Sequence, residues 1–261
     1  MRKSPPTTNA DTTADPWMGG VALLGQAIDY ALGCLSLVTP GDLDRPTPCD
    51  GWDLRALLAH ANDSFTALAE AATFGHVALV PPISDGHNKP NTTNATTHGP
   101  PVPGGPASGG PASGGPALGG PASGGPALGG PAAVGPVVVG GEVDPVVALR
   151  DRATSLLHAW ANARAAIVSI GGCPLTAATV CGVGAVEVTV HAWDVARSCG
   201  HPSPIPAPMA TELLPLARLF ATDADRPARF ALPLDAAPQA LAQDRLLAYL
   251  GRDPHWTDNS R

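Results

Sequence analysis

The helix that decides the fold reads DLRALLAHANDSFTALAEAATFG from Asp53 to Gly75. Its apolar side chains recur at three- and four-residue steps, which is the period of one face of an α-helix. These side chains are Leu54, Leu57, Leu58, Ala61, Phe65 and Leu68. The carboxylate of Asp53 can accept hydrogen bonds from the free N–H groups of the first turn, and Gly75 follows the last turn. The sequence therefore predicts an amphipathic helix with both ends defined.

Three further apolar stripes of the same period predict the other long helices. The first runs from about Pro16 to Val38, the third from Pro145 to Ile167 and the fourth from Val183 to Cys199. Gly171-Gly172 is expected to end the third helix. Most of the stretch from Cys173 to Gly184 is expected to be a loop, and a short extended piece at Leu175 to Val180 is left open. Shorter helices are expected around Met209 to Ala221 and Asp244 to Leu250. The predicted fold class is all-α, an antiparallel four-helix bundle.

A low-complexity segment separates helices two and three. From Gly99 to Gly141 the chain has 16 Gly and 10 Pro in 43 residues, with GGPAS or GGPAL repeats from Gly104 to Leu128. Such a segment buries too little apolar surface to offset its conformational entropy. We expect residues 81–142 to form a disordered insertion, either a tolerated loop expansion, which we favour, or a partner-binding arm. Residues 1–15 are also expected to be disordered, so that 16–80 and 143–256 supply the helices.

Composition argues against several classes of function. The net charge of −7 disfavours a nucleic-acid-binding protein, which needs a basic face. No apolar run approaches the roughly 20 residues of a membrane span, and the polar N-terminus does not resemble a signal peptide. The five cysteines are an odd number without a C-x-x-C pair, which favours a reducing compartment. We expect a cytoplasmic protein that binds neither nucleic acid nor a membrane; the oligomeric state stays open.

Two features could carry chemistry. Glu187 and His191 stand four residues apart on the predicted fourth helix, so that both project from one face, and Asp194 follows about one turn later. His60 lies at the edge of the apolar stripe of helix two. If these helices pack together, His60, Glu187 and His191 form a three-ligand metal site with an open fourth position. Zinc suits these ligands, although iron(II) uses the same types.

Other interpretations of these residues remain open at this point. Glu187 and His191 could be an ordinary surface pair, and His60 could be a core histidine with a hydrogen-bond partner. Asp194 could orient the imidazole of His191 or pair with Arg197 or Arg55 on a helix surface. Cys49 and Cys199 could be reactive, but nothing near them in sequence supplies a positive environment.

Two motifs resemble the signatures of a known family. Residues 47–60, TPCDGWDLRALLAH, and residues 187–197, EVTVHAWDVAR, are similar to the metal-binding domain of mycothiol-dependent maleylpyruvate isomerase, within the DinB-like superfamily. Residues 244–254, DRLLAYLGRDP, resemble more weakly the C-terminal end of a stand-alone subfamily of small metal-binding proteins. The resemblance implies a DinB-like bundle in which His60, Glu187 and His191 hold zinc.

The function implied by this resemblance is the activation of a small thiol. The open position of the metal would take a water molecule or the sulfur of a low-molecular-weight thiol such as mycothiol, which acts as cosubstrate in transfer to, or isomerisation of, a small electrophilic substrate. One alternative is a non-catalytic metal-binding or interaction module, and another is a plain helical bundle without metal.

Overall fold

The computed structural model describes residues 16–78, 144–227 and 229–258. The segments expected to be disordered, 1–15 and 81–142, lie outside these residues. The helices of the described chain are α1 (Pro16–Leu35), α2 (Leu54–Phe74), α3 (Pro145–Asn162), α4 (Ala177–Ser198), α5 (Ala207–Phe220) and α6 (Ala242–Tyr249). The strands are β1 (His76–Val77), β2 (Ile167–Ile170) and β3 (Cys173–Thr176). The predicted helical bundle is confirmed, and the small sheet is an addition that the all-α prediction missed.

Both predicted ends of α2 are confirmed. Asp53 is the N-cap, and its Oδ1 accepts a hydrogen bond of 2.8 Å from the backbone N–H of Ala56. Gly75 ends the helix in the left-handed region at φ +70°, where a residue without a side chain adopts the conformation at little cost. The start of α3 follows the same logic, since Asp144 caps it and Pro145 occupies its first turn.

Helices α1 to α4 pack together as the bundle, α5 packs on α4 and α6 packs on α5. The core includes two tryptophans, Trp160 of α3 and Trp193 of α4, which are almost completely buried. Helices α2 and α4 run antiparallel, because His60 contacts Glu187 while Leu68 lies beside Gly184. In the described part of the chain, no helix combines the length and the apolar character needed to cross a membrane.

Helix α4 begins six residues before its predicted start at Val183, so the predicted loop from Cys173 to Gly184 is wrong. Of the extended piece considered at Leu175 to Val180, the first two residues belong to β3 and the rest to α4. Thr176 caps the helix by accepting a hydrogen bond of 3.1 Å from the backbone N–H of Thr179. The first residues of α4 do not look helical in the sequence, because the glycines among them lower helix propensity. In the fold these glycines allow close packing: a Cβ on Gly184 would lie 2.8 Å from Leu68.

The third helix ends at Asn162, and Ile167 belongs to β2 rather than to the predicted helical stripe. Strand β2 pairs antiparallel with β3, from Ile167 opposite Thr176 to Ile170 opposite Cys173, and pairs parallel with β1. Gly171 and Gly172 do not end a helix but form the hairpin turn, with φ +55° and +86°. A two-residue turn with positive φ at both positions is the arrangement that Gly-Gly favours between strands.

A tight contact between α1 and α4 gives a first stability prediction. A Cβ on Gly20 would lie 3.0 Å from the backbone oxygen and 3.1 Å from the Cα of Ala178. We expect Gly20→Ala to lower the free energy of unfolding by about 1–2 kcal/mol, because strain against backbone atoms exceeds the gain in helix propensity. Chemical denaturation measures the change.

The matched control for this prediction is Gly33→Ala in the same helix. No atom lies within 4 Å of a Cβ at Gly33, so we expect this substitution to raise the free energy of unfolding by about 0.5–1 kcal/mol. Equal effects of the two substitutions would contradict the close approach of α1 and α4 at Gly20.

Candidate metal centre

Three side chains from two helices meet between α2 and α4. His60 Nε2 lies 2.7 Å from Glu187 Oε1, and His191 Nε2 lies 3.3 Å from the same oxygen. The two imidazole rings have centroids 4.9 Å apart and are nearly perpendicular. The structure therefore brings His60, Glu187 and His191 together, with one donor atom from each residue lying within 4.8 Å of the others.

The local structure of both helices explains this convergence. Glu187 and His191 lie one turn apart on α4, so they share a face. Ser64 follows His60 by one turn on α2, and its hydroxyl donates a hydrogen bond of 3.1 Å to Glu187 Oε1. Gly184 allows α2 to approach α4 one turn before Glu187. The oxygen of Glu187 is thus contacted by side chains from both helices.

The cluster is only partly covered. The side chain of His60 remains 23% exposed, against 12% for Glu187 and 7% for His191. The ring of Trp52 lies 4.9 Å from the ring of His60 and 6.4 Å from that of His191, measured between centroids. Trp52 is itself half-buried, so a partly exposed aromatic ring packs beside the cluster.

The carboxylate and the imidazoles of the cluster stabilise one another's charged forms. Burial raises the pKa of Glu187, but the charge of His191 and the hydrogen bonds from both imidazoles outweigh it and hold the pKa well below its usual range. Burial lowers the pKa of His191, yet the carboxylates of Glu187 and Asp194 hold it well above its usual range. An ionised carboxylate facing two imidazoles is a donor set that attracts a cation, provided that the imidazoles are deprotonated on binding.

A second buried network lies behind His191. The Oδ2 atom of Asp194 is 3.0 Å from His191 Nδ1, 3.1 Å from Cys49 Sγ and 3.4 Å from Arg252 Nη2. Arg252 Nη2 also donates to Cys49 Sγ at 3.1 Å. A proton on Nδ1 of His191 is shared with Asp194, so that Nε2 becomes a metal-binding lone pair once its own proton, held against Glu187, is lost. Asp194 therefore contacts the imidazole of His191, as its interpretation as an orienting residue requires.

Sequence reasoning missed the roles of Cys49 and Arg252. Both residues fall within the motifs quoted for the resemblance, but they are 203 positions apart, and no pattern in the sequence pairs them. The positive environment that was missing around Cys49 comes from Arg252, which is 7% exposed. Their occurrence in two family-like motifs was the available signal.

The alternative pairs considered for Asp194 are not the ones that the structure forms. Arg55 is exposed and pairs with Asp44, while Arg197 donates to the backbone oxygen of Pro254 and lies over the ring of Trp193. The other candidate thiol, Cys199, is a poor nucleophile, because burial raises its pKa to about 11.

Among the residues that the structure describes, two groups of side chains could hold a metal ion, and they share His191. In each of them, the donor atoms lie within 4.8 Å of one another: His60, Glu187 and His191 form one group, and Cys49, His191 and Asp194 form the other. The second group already contacts the guanidinium of Arg252, which repels a cation. In a tetrahedral zinc site, bond lengths of about 2.0–2.1 Å place ligand atoms roughly 3.3 Å apart. The 3.3 Å between Glu187 Oε1 and His191 Nε2 fits this value, whereas the 2.7 Å between Glu187 Oε1 and His60 Nε2 is a hydrogen-bond distance. The contact of the second group with Arg252 therefore makes the first group the better candidate.

Comparison with known proteins gives one match. Residues 24–112 match the family described as the mycothiol maleylpyruvate isomerase N-terminal domain. This range contains His60 and ends before Glu187 and His191. No curated protein and no solved structure matches the chain at a significant level. Residues 24–112 are thus similar to the mycothiol maleylpyruvate isomerase N-terminal domain family, which confirms the resemblance for the motif at 47–60, while the motifs at 187–197 and 244–254 lie outside the match.

Proposed function

We propose that this chain is a metal-dependent protein that uses a low-molecular-weight thiol, such as mycothiol, in a transferase or isomerase reaction with a small electrophile. The observation that carries the proposal is the approach of two imidazole nitrogens, on His60 and His191, to one oxygen of Glu187 at 2.7 and 3.3 Å. Two nitrogens and one carboxylate oxygen leave a tetrahedral zinc ion one open position. The family match over residues 24–112 supports a relation to mycothiol chemistry.

Each residue of the cluster has a distinct part in this proposal. His60, Glu187 and His191 would hold the metal ion, zinc being preferred. When bound, this ion would stabilise the thiolate form of the thiol near neutral pH. Ser64 keeps the carboxylate of Glu187 in place by donating a hydrogen bond. Asp194 holds a proton at Nδ1 of His191, so that Nε2, once deprotonated, is the ligand atom.

Metal analysis is the first test of the proposal. We expect the purified protein to hold about one divalent ion per chain. Removing the ion with a chelator is expected to lower the melting temperature, because a ligand that binds only the folded state stabilises it. A protein without stoichiometric metal, whose melting temperature is the same with and without chelator, would be a plain helical bundle.

A turnover assay separates catalysis from passive metal binding. The metal-loaded protein is tested with mycothiol and a panel of electrophiles that includes maleylpyruvate, and we expect thiol-dependent product formation. The Glu187→Gln variant should lose this activity, whereas Glu212→Gln, at an exposed position of α5, should retain it. Metal binding without turnover against any electrophile would favour a non-catalytic metal-binding module.

A further inference from the structure

A cavity of about 400 Å³ adjoins the metal-ligand cluster. Ser64 and Glu187, which touch each other in the cluster, belong to its lining. From there the lining follows α2 to Ala71 and α4 back to Val180, each at helical spacing. The cavity is therefore the continuation, away from His60, of the groove in which the cluster lies.

The wall of the cavity is largely apolar. Helix α5 contributes Ala217 and Phe220, and the sheet contributes Val77 and Ile170. Apart from Ser64 and Glu187, the polar side chains among the described lining residues are Thr222, Asp225 and Arg229. A small-molecule site is expected to have this character, a concave apolar pocket of about 300–1,000 Å³ with a few polar groups that fix orientation.

The described wall of the cavity offers an acidic ligand no unshared cation. Of its two carboxylates, Glu187 already contacts the imidazoles of the cluster and Asp225 pairs with an arginine. Arg229, the one cation among the described lining residues, pairs with Asp225 at 3.1 Å. A dicarboxylic acid entering this cavity would lose hydration without gaining an unshared cationic partner.

We infer that this cavity binds the body of the electrophilic substrate, and that this substrate is a largely apolar molecule with an alkyl or aromatic body rather than a small dicarboxylic acid. The inference rests on the proposed function, because it places the reacting end of the substrate beside Glu187. The cavity should bind apolar molecules whether or not metal is present. The metal-dependent function and the apolar substrate site can therefore be tested separately.

The first measurement uses n-alkanols of two to eight carbons on the metal-free protein. Burial of each further methylene in an apolar site should tighten binding about fourfold, as measured by calorimetry or by competition with a hydrophobic dye. Glutarate, used as a dicarboxylate probe, should not compete.

The second measurement uses n-alkanethiols of the same lengths on the zinc-loaded protein, where the sulfur is held at the cluster and the chain enters the cavity. We expect the same gain per methylene.

A pair of matched variants identifies the cavity as the site of binding. Val183 lines the cavity one turn before Glu187 and is partly exposed, so the larger ring in Val183→Phe can enter the cavity without overfilling the core. Val147 is 50% exposed on α3 and outside the cavity lining. We expect Val183→Phe to abolish the gain per methylene for both ligand series and Val147→Phe to leave it unchanged, with both variants retaining the circular-dichroism spectrum of the parent.

The outcomes distinguish this inference from the proposed function. Length-dependent alkanol binding that Val183→Phe abolishes, in a protein that binds no metal, supports the apolar site and overturns the metal chemistry. Stoichiometric metal without length dependence for alkanols or alkanethiols overturns the inference alone. Length dependence that persists in Val183→Phe, or that is seen with alkanols but not with alkanethiols on zinc-loaded protein, also overturns it, because the site would then lie elsewhere or fail to reach the cluster.

Discussion

Replacing Arg252 with methionine is expected to lower the free energy of unfolding by about 3–5 kcal/mol, because it removes the guanidinium that contacts a buried carboxylate. Asp194 is completely buried, and Arg252 is 7% exposed. Burial raises the pKa of Asp194, but the charge of Arg252 and the hydrogen bond from His191 reverse the shift and keep it below its usual value. Methionine retains much of the apolar stem of arginine, so the loss reports mainly on the charge. Chemical denaturation followed by circular dichroism measures it.

Two further variants test this explanation. Arg55→Met removes an exposed partner of Asp44 and should change the free energy of unfolding by less than about 1 kcal/mol. The double variant Asp194→Asn with Arg252→Met should lose less stability than the sum of the single variants, since removing both charges leaves neither member of the pair without the other. A loss for Arg252→Met no larger than that for Arg55→Met, or strict additivity in the double variant, would contradict the stabilising role of the buried pair.

The His60→Ala variant is expected to bind divalent metal more than about a hundredfold more weakly than the parent protein. Removing a residue that only supports a ligand typically costs ten- to a hundredfold in metal affinity, and the proposal makes His60 one of three ligands. His60 is also the most exposed member of the cluster, with 23% of its side chain accessible, so its truncation should disturb the core little. Competition with a chromophoric zinc indicator gives the affinity.

His158→Ala provides the matched control for metal binding. His158 is exposed on α3, outside the cluster, and its loss should leave both metal affinity and stability unchanged. If His60→Ala binds zinc as tightly as His158→Ala does, His60 is not a ligand. Metal held instead by Cys49, His191 and Asp194 would then be revealed by a loss of affinity in Cys49→Ser.

The parts of the fold that were predictable from sequence are those whose signals are local. Asp53 marks the start of α2 because its side chain accepts a hydrogen bond from the first turn. Gly75 marks the end because it adopts the left-handed conformation at little cost. The start of α4 could not be predicted, because its first ten residues contain Gly182 and Gly184, whose low helix propensity is outweighed by packing against Leu216 and Leu68. Periodicity likewise misassigned Ile167, although the Gly-Gly turn that follows β2 was a usable hairpin signal.

In the candidate site, too, the features that depend on local sequence were predictable and the contacts between distant residues were not. The four-residue spacing of Glu187 and His191 places them on one helical face whatever surrounds them, whereas their relation to His60 was implied by a family resemblance rather than by spacing. Their role as metal ligands stays a prediction. The contact between Cys49 and Arg252 could not be inferred from sequence, since it joins residues 203 positions apart.

The order of residues along this chain determines which segments become helices and which side chains share a face, because those properties depend on neighbours within a few turns. Only the packed structure decides that Glu187 faces His60, that Arg252 lies against Asp194, and that an apolar cavity continues from the cluster. These outcomes depend on burial and on contacts between distant segments, whose energies no local pattern records.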